Sequence, residues 1–143
     1  LCPKVLPEDI VFYGVRDTEA PEDAIIERKG IKNFTVEECR EKGIGEVCKE
    51  GLKLLEECDI IYVSFDVDSM DSDLVSLGTG TPVPNGFTPS EATGILTHFL
   101  SSEKLVCFEM VEINPTLDNK KNKMADTAFK ILEEVTEVIE KRF

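Results

Sequence analysis

Three apolar runs divide the chain, and each is nearly continuous rather than alternating between apolar and polar residues. They cover residues 9–15 (DIVFYGV), residues 60–65 behind a leading Asp59 (DIIYVSF) and residues 105–113 (LVCFEMVEI). Continuous runs of this kind are typical of strands in a parallel sheet that is covered on both faces. The sequence therefore predicts three buried parallel strands.

Helix start signals and apolar stripes lie between and after these runs. Thr35 with Glu38 has the spacing of a capping box, as has Thr88 with Glu91, where Pro89 takes the first helical position. Apolar residues then recur at helical spacing in three segments. The predicted stripes are Ile44, Val47, Cys48, Gly51, Leu55 and Cys58 after Gly43; Ala92, Ile95, Leu96 and Phe99; and Met124, Ala128, Leu132, Val135 and Ile139.

The predicted order is strand, helix, strand, helix, strand, helix, which favours a three-layer α/β fold with a parallel sheet and right-handed crossovers. The Gly- and Pro-rich stretch at residues 77–87 (LGTGTPVPNGF) is predicted to be a loop long enough to have a function. A length of 143 residues suits a single domain with a sizeable core.

Charge and cysteine usage limit the classes of partner. The formal net charge of −13 argues against nucleic acid, whose phosphates demand clusters of Lys and Arg, but it permits a cationic substrate or a divalent metal. The chain contains neither an apolar stretch of membrane-spanning length nor a secretory signal pattern, so no membrane partner is expected. The five cysteines are scattered without a C-x-x-C pair, which predicts reduced thiols and a cytoplasmic location. They are Cys2, Cys39, Cys48, Cys58 and Cys107.

Acidic residues follow all three predicted strands. The first runs into Asp17, Glu19 and Glu22, the second into SFDVDSMDSD at residues 64–73, and the third into EMVEINP, which contains Glu112. Parallel strands end at one edge of a sheet, where ligands bind. Repulsion among so many carboxylates is costly unless cations lie between them.

The segment Asp66-Val67-Asp68 is the most informative of these clusters. Its two aspartates are separated by one residue, so in an extended chain both side chains lie on the same side, and their hard oxygens suit Mg²⁺ or Mn²⁺. A calcium loop of the EF-hand type does not fit, because Met70 and Leu77 occupy ligand positions. Asp71 and Asp73 are expected to serve the turn.

Two further residues keep simpler interpretations open. Glu112 is either a solvated residue at a strand end or a carboxylate that faces a cation, and spacing alone does not decide between them. His98 lies inside the helix that begins after Thr88, beside no other ligand type. We expect it to be a surface or hydrogen-bonded helix histidine.

The motifs SFDVDSMDSD, GTGTP, GFTPSEA and VEINPTLDN, in this order and spacing, resemble the carboxyl-terminal half of the ureohydrolases, and of arginases in particular. The resemblance implies an arginase-like α/β/α fold, with residues 1–143 forming a single domain or a fragment of one. It implies that Asp66 and Asp68 bind two manganese ions, with Asp66 as the bridging and catalytic ligand. Glu112 would pair with the substrate guanidinium and act in catalysis, Thr81 would line the pocket, and Asp17, Glu19 and Glu22 would hold the substrate α-amino group.

The activity implied by this resemblance is manganese-dependent hydrolysis of L-arginine to ornithine and urea, in a homo-oligomer that is a trimer or hexamer. The acidic trio favours arginine over agmatine, which lacks the α-amino group. The family's other metal ligands, in GGDH and DAHxD patterns, are not found in this sequence. The chain alone is therefore expected to be inactive. The alternatives are an agmatinase or other ureohydrolase, a non-catalytic fragment or binding module, and a haloacid dehalogenase-like phosphatase.

Overall fold

The computed structural model describes residues 4–143, and the predicted thiol of Cys2 lies outside them. The chain divides into two compact units, one ending at Asp59 and the other spanning Ile60–Phe143. The assignment of the whole chain to a single domain or fragment stays a prediction. No helix within residues 4–143 combines the length and the apolar character that a membrane crossing requires.

The first unit is built around a pair of short parallel strands. Strand β1 (Val11–Tyr13) pairs with β2 (Lys32–Phe34), and helix α1 (Ala20–Lys29) connects them. Helices α2 (Val36–Lys42) and α3 (Ile44–Leu54) follow. The predicted strand 9–15 was too long, because Pro7–Asp9 form a 3₁₀ turn before it and Gly14 adopts a φ of +69° after it.

Helix α1 and strand β2 were missed by the sequence prediction. Helix α1 has no buried residue and therefore no apolar stripe, and β2 is only three residues long. The predicted box at Thr35 is half correct. The Thr35 hydroxyl does accept the Glu38 amide, but the Glu38 carboxylate accepts Lys32 Nζ at 2.7 Å instead of closing the box.

The core of the first unit joins β1 and β2 to α3. Tyr13 stacks on the buried Phe34 with ring centroids 5.0 Å apart, and its hydroxyl donates to the Val47 carbonyl at 2.8 Å. Burial raises the pKa of Tyr13 well above its usual value and that of Cys48 to about 12, so both stay neutral. The four described cysteines form no disulfide with one another.

The second unit contains a longer parallel pair. Strand β3 (Ile61–Asp66) pairs with β4 (Leu105–Val111), in a register that sets Asp66 opposite Val111. The connection between them contains helix α4 (Pro89–Leu100), and helix α5 (Lys123–Glu140) follows β4 and packs against α4. The parallel pairing and the capping box of Thr88 with Glu91 confirm the predictions for these elements.

Side-chain burial in the second unit follows the predicted stripes except on α5, where Leu132 is exposed and Ile139 is half-buried. All four predicted residues of α4 are buried, but on α5 the buried residue is Ile131, at 2% exposure, rather than Leu132, at 39%. Tyr62 and Val106 are also 55% and 60% exposed. The expectation that both faces of these strands are covered is therefore wrong for the described chain.

Candidate active site

The carboxyl end of β3 places Asp66 and Asp68 through a tight local turn. Directly after β3 the chain enters a 3₁₀ helix, Val67–Ser69. The Asp68 amide donates to Asp66 Oδ1 at 3.0 Å, and the Ser69 hydroxyl donates to the Asp66 carbonyl at 2.6 Å. Val67 and Met70 are fully buried and fix the turn to the core. Both aspartates are therefore held by the backbone that follows the strand.

Asp66 lies in an environment that disfavours its negative charge. Its partial burial is the main cause that raises its pKa, to about 6, while the Asp68 amide opposes the rise. The negative charges of Asp68 and Glu112 raise this pKa further. Like charges this close favour a proton or a cation between them.

Thr81 and Gly80 bring the Gly-rich loop to the same carboxylates. The Thr81 hydroxyl donates to Asp68 Oδ2 at 2.7 Å. A β-carbon added at Gly80 would lie 3.2 Å from Glu112 Oε2, so the Glu112 carboxylate lies close against this glycine. One stretch of the loop therefore contacts a carboxylate from each of the two strand ends.

Glu112 follows the last residue of β4, next to the position that pairs with Asp66. Its φ is +64°, in the left-handed region that residues with a β-carbon rarely adopt. Such a conformation costs about 1–3 kcal/mol, and it persists where the surrounding structure imposes it. The structure thus brings together Asp66, Asp68, Thr81 and Glu112, and their roles in metal and substrate binding stay predictions.

The acidic residues of the first unit have local partners. Glu19 is the N-cap of α1 and forms a capping box with Glu22, whose Oε2 accepts the Glu19 amide at 2.8 Å. Asp17 is exposed in the preceding loop. These contacts explain why α1 begins where it does. The predicted role of Asp17, Glu19 and Glu22 in substrate binding stays a prediction.

The Asp66 and Asp68 carboxylates of the second unit suit a hard divalent cation, but two carboxylates are too few ligands to form a complete site. Carboxylate oxygens are what Mg²⁺ and Mn²⁺ prefer. Within residues 4–143, no group of three or more His, Cys, Asp or Glu is arranged to hold a metal ion. His98 is a hydrogen-bonded helix histidine, as predicted, with Nδ1 2.8 Å from the Gly94 carbonyl oxygen. Asp66 and Asp68 would need further ligands from outside the described residues.

Sequence reasoning singled out neither Gly80 nor Asp118, although both lie in motifs that carry the resemblance. Asp71 does serve the turn, since its Oδ1 accepts the amides of Asp73 and Leu74. Asp118 accepts the Ser76 hydroxyl across 42 positions of sequence, a separation at which no local pattern reveals a partner.

The parallel α/β architecture, with acidic residues at the ends of adjacent strands, is that of a ureohydrolase-like fold. Residues 2–137 match the sequence profile of the arginase family, and the chain belongs to this family. It is 33% identical to the arginase of Bacillus subtilis over 132 residues, which are 92% of this chain and 44% of that protein. The Helicobacter pylori arginase structure superimposes with a TM-score of 0.88 at 33% identity, covering 94% of this chain and 45% of that one.

The structure of an Entamoeba histolytica arginase in complex with L-ornithine also matches, with a TM-score of 0.84 at 30% identity, over 92% of this chain and 44% of that one. A formimidoylglutamase from Bacillus subtilis and a hypothetical agmatinase from Burkholderia thailandensis have TM-scores of 0.85 and 0.79, but only 22% identity, so they show the fold alone. The chain spans less than half the length of each of these relatives.

Proposed function

We propose that this chain supplies the carboxyl-terminal part of a manganese-dependent arginase, which hydrolyses L-arginine to ornithine and urea. The observation that carries the proposal is the cluster at the ends of β3 and β4, where Asp66, Asp68 and Glu112 lie close together around Gly80 and Thr81. The cluster occurs in a chain that belongs to the arginase family.

In this proposal Asp66 and Asp68 would hold a binuclear manganese centre, with Asp66 as the ligand that both ions would need. The raised pKa of Asp66 supports a site that is completed by positive charge, because a cation would relieve the repulsion from Asp68 and Glu112. Bound manganese would supply Lewis acidity and lower the pKa of a water molecule toward neutrality. The remaining ligands would come from the part of the enzyme that this chain does not span.

Glu112 is assigned to the substrate. A carboxylate pairs with a guanidinium through two parallel charge-assisted hydrogen bonds, which fix the position of the cation as well as its charge. The left-handed backbone of Glu112 and the absence of a side chain at Gly80 support a carboxylate that lies against the Gly-rich loop. Glu112 would thereby orient the guanidinium carbon for attack by water, while Thr81 lines the pocket and keeps the Asp68 carboxylate in position.

L-Arginine is favoured over agmatine because Asp17, Glu19 and Glu22 offer negative charge for an α-amino group. The side chains of Glu19 and Glu22 form the capping box of α1, whereas the side chain of Asp17 takes no part in it. A cytoplasmic homo-oligomer, a trimer or hexamer, belongs to the same proposal.

Two alternatives concern the same site. An agmatinase or another ureohydrolase would use the same metal aspartates with a different substrate, and a non-catalytic fragment or binding module would use neither. The third alternative, a haloacid dehalogenase-like phosphatase, is inconsistent with membership of the arginase family.

The test is hydrolysis by the complete natural protein that contains this sequence, purified with manganese. It is measured as urea release from L-arginine and from agmatine, and as formamide release from N-formimidoylglutamate. The proposal expects urea and ornithine from L-arginine, with kcat/KM higher than for the other two compounds. Turnover of agmatine or of the formimino compound in preference to L-arginine would replace the proposed substrate. No turnover of any of them would favour the binding module.

A further inference from the structure

A further carboxylate of the same unit, Asp118, is not among the predicted ligands and accepts several hydrogen bonds. Its Oδ2 accepts the Ser76 hydroxyl at 2.6 Å and the Met124 amide at 2.9 Å, while its Oδ1 accepts the Lys120 amide at 2.6 Å. Partial burial would raise the pKa of Asp118, but these hydrogen bonds outweigh it and lower the pKa to about 2. Asp118 is therefore ionised at neutral pH and bound through both oxygens.

These bonds join the start of α5 to the Gly-rich loop. Asn122, the N-cap of α5, makes no side-chain cap, and the Asp118 carboxylate accepts one of the first helical amides in its place. On the loop side, a β-carbon at Gly78 would lie 2.7 Å from Asp118 Oδ2 and 2.7 Å from Met124 Cβ. Only a glycine permits the loop to approach this closely.

Further hydrogen bonds from the segment after β4 hold the same loop. The Leu77 amide donates to Asn119 Oδ1 at 3.0 Å, and the Asn114 amide donates to the Gly78 carbonyl at 2.9 Å. Three residues beyond Gly78, the Thr81 hydroxyl reaches Asp68 Oδ2. The loop is thus fixed near Gly78 by Asp118 and its neighbours, and Thr81, a little further along the same loop, contacts a predicted metal ligand.

We propose that Asp118 is a positioning residue for the active site, which holds the Gly-rich loop so that the Thr81 hydroxyl stays on the Asp68 carboxylate. Asp118 does not touch substrate or metal in this proposal; it acts through Thr81. The inference rests on the proposed function for its catalytic consequence, but the contact chain from Asp118 to Thr81 and Asp68 stands on geometry alone.

The test uses Asp118→Asn in the complete natural protein, with Asp126→Asn as the matched control. Asparagine keeps the shape of the side chain, but its NH₂ group replaces one carboxylate oxygen and cannot accept a hydrogen bond. The donors that faced this oxygen therefore lose their acceptor. Asp126 is exposed in the first turn of α5, and its substitution removes the same charge from the same region. Ser76→Ala removes one hydrogen bond to Asp118, and with it the bond from the Gly78 amide to the Ser76 hydroxyl, while leaving the Asp118 charge in place; it serves as the second variant if Asp118→Asn folds poorly.

A double-mutant cycle with Thr81→Val separates positioning from general destabilisation, because residues that act through one contact are not additive. Asp118→Asn alone is expected to lower manganese affinity and kcat/KM by about 10- to 100-fold, the usual cost of removing an outer-shell partner. In the Thr81→Val background its effect should shrink to less than about threefold. Asp126→Asn should change neither quantity. Equal effects of Asp118→Asn in both backgrounds would overturn the proposal.

Amide hydrogen exchange at residues 76–81 gives a readout that needs neither metal nor substrate. Exchange should accelerate in Asp118→Asn and Ser76→Ala and stay unchanged in Asp126→Asn. Unchanged exchange in both loop variants would overturn the positioning role even in an active enzyme. Accelerated exchange in a protein that releases no urea would support the anchoring and reject the proposed function instead.

Discussion

Substitution by alanine should have different effects at two glycines of the same loop. We expect Gly78→Ala to lower stability and Gly80→Ala to lower activity. A β-carbon at Gly78 would meet the Asp118 carboxylate and Met124 Cβ, both at 2.7 Å. Met124 is fully buried, so the loop backbone has to move. At Gly80 the β-carbon would meet only Glu112 Oε2, at 3.2 Å, and Glu112 is an exposed side chain that can give way by a few tenths of an ångström.

The magnitudes follow from these contacts. Gly78→Ala overpacks a fixed site and should lower the free energy of unfolding by about 1–3 kcal/mol. Gly80→Ala should leave stability within about 0.5 kcal/mol, because the displaced atom is the far end of an exposed side chain. It should nevertheless lower kcat/KM for L-arginine about tenfold, since a misplacement of 1 Å can cost about 100-fold and this one is smaller.

Urea denaturation of the complete natural protein gives the stability of both variants, and initial rates over a range of L-arginine concentrations give their kinetics. The reasoning predicts a lower denaturation midpoint for Gly78→Ala and a normal midpoint with impaired kinetics for Gly80→Ala. A Gly78→Ala protein of unchanged stability would refute the packing argument. Normal kinetics in Gly80→Ala would refute the placement of Glu112 against the loop.

Three further predictions concern pH, a helix cap and the chain by itself. The pKa of Asp118 in the folded protein lies below its ordinary value of 3.8, so the stability that this carboxylate contributes is present above about pH 4 and is lost as the pH falls toward 2. When the unfolding free energy is measured against pH, Asp118→Asn should therefore show a flatter curve in this range. Thr88→Ala removes the acceptor of the Glu91 amide at the start of α4 and should lower the unfolding free energy by about 1 kcal/mol, whereas an unchanged denaturation midpoint would show that the cap contributes nothing. The isolated 143 residues should bind Mn²⁺ weakly, hydrolyse no L-arginine and self-associate through exposed apolar residues such as Tyr62 and Val106. Calorimetric titration measures the metal binding, a urea assay measures the hydrolysis and sedimentation measures the association. Tight binding of two ions together with turnover would contradict this prediction.

Elements with strong local signals were predictable from the sequence. The start of α4 follows from Thr88, Pro89 and Glu91, because a capping box depends on residues three positions apart. Strand β3 follows from its apolar run, and the position of Asp66 at its end follows from the strand. Helix α1 was missed because its few apolar residues form no stripe along one face, and none of its residues is buried.

The site was predictable where it depends on position along a strand and unpredictable where it depends on tertiary contact. Asp66, Asp68 and Glu112 follow apolar runs and could be identified from the sequence. The left-handed backbone of Glu112 is imposed by its surroundings, and nothing in the sequence indicates it. The bond from Ser76 to Asp118 depends on packing between the loop and α5, which only the folded structure reveals.

The most direct test of the proposed division of roles is manganese content measured together with urea release, in the complete natural protein and in its Asp66→Asn and Glu112→Gln variants. The parent protein should contain two manganese ions per chain and release urea from L-arginine. Asp66→Asn should lose both properties, whereas Glu112→Gln should keep its manganese and lose about 100-fold or more in kcat/KM, because it removes one partner of a charged pair. Equal loss of manganese in both variants, or a parent protein without manganese, would contradict the account.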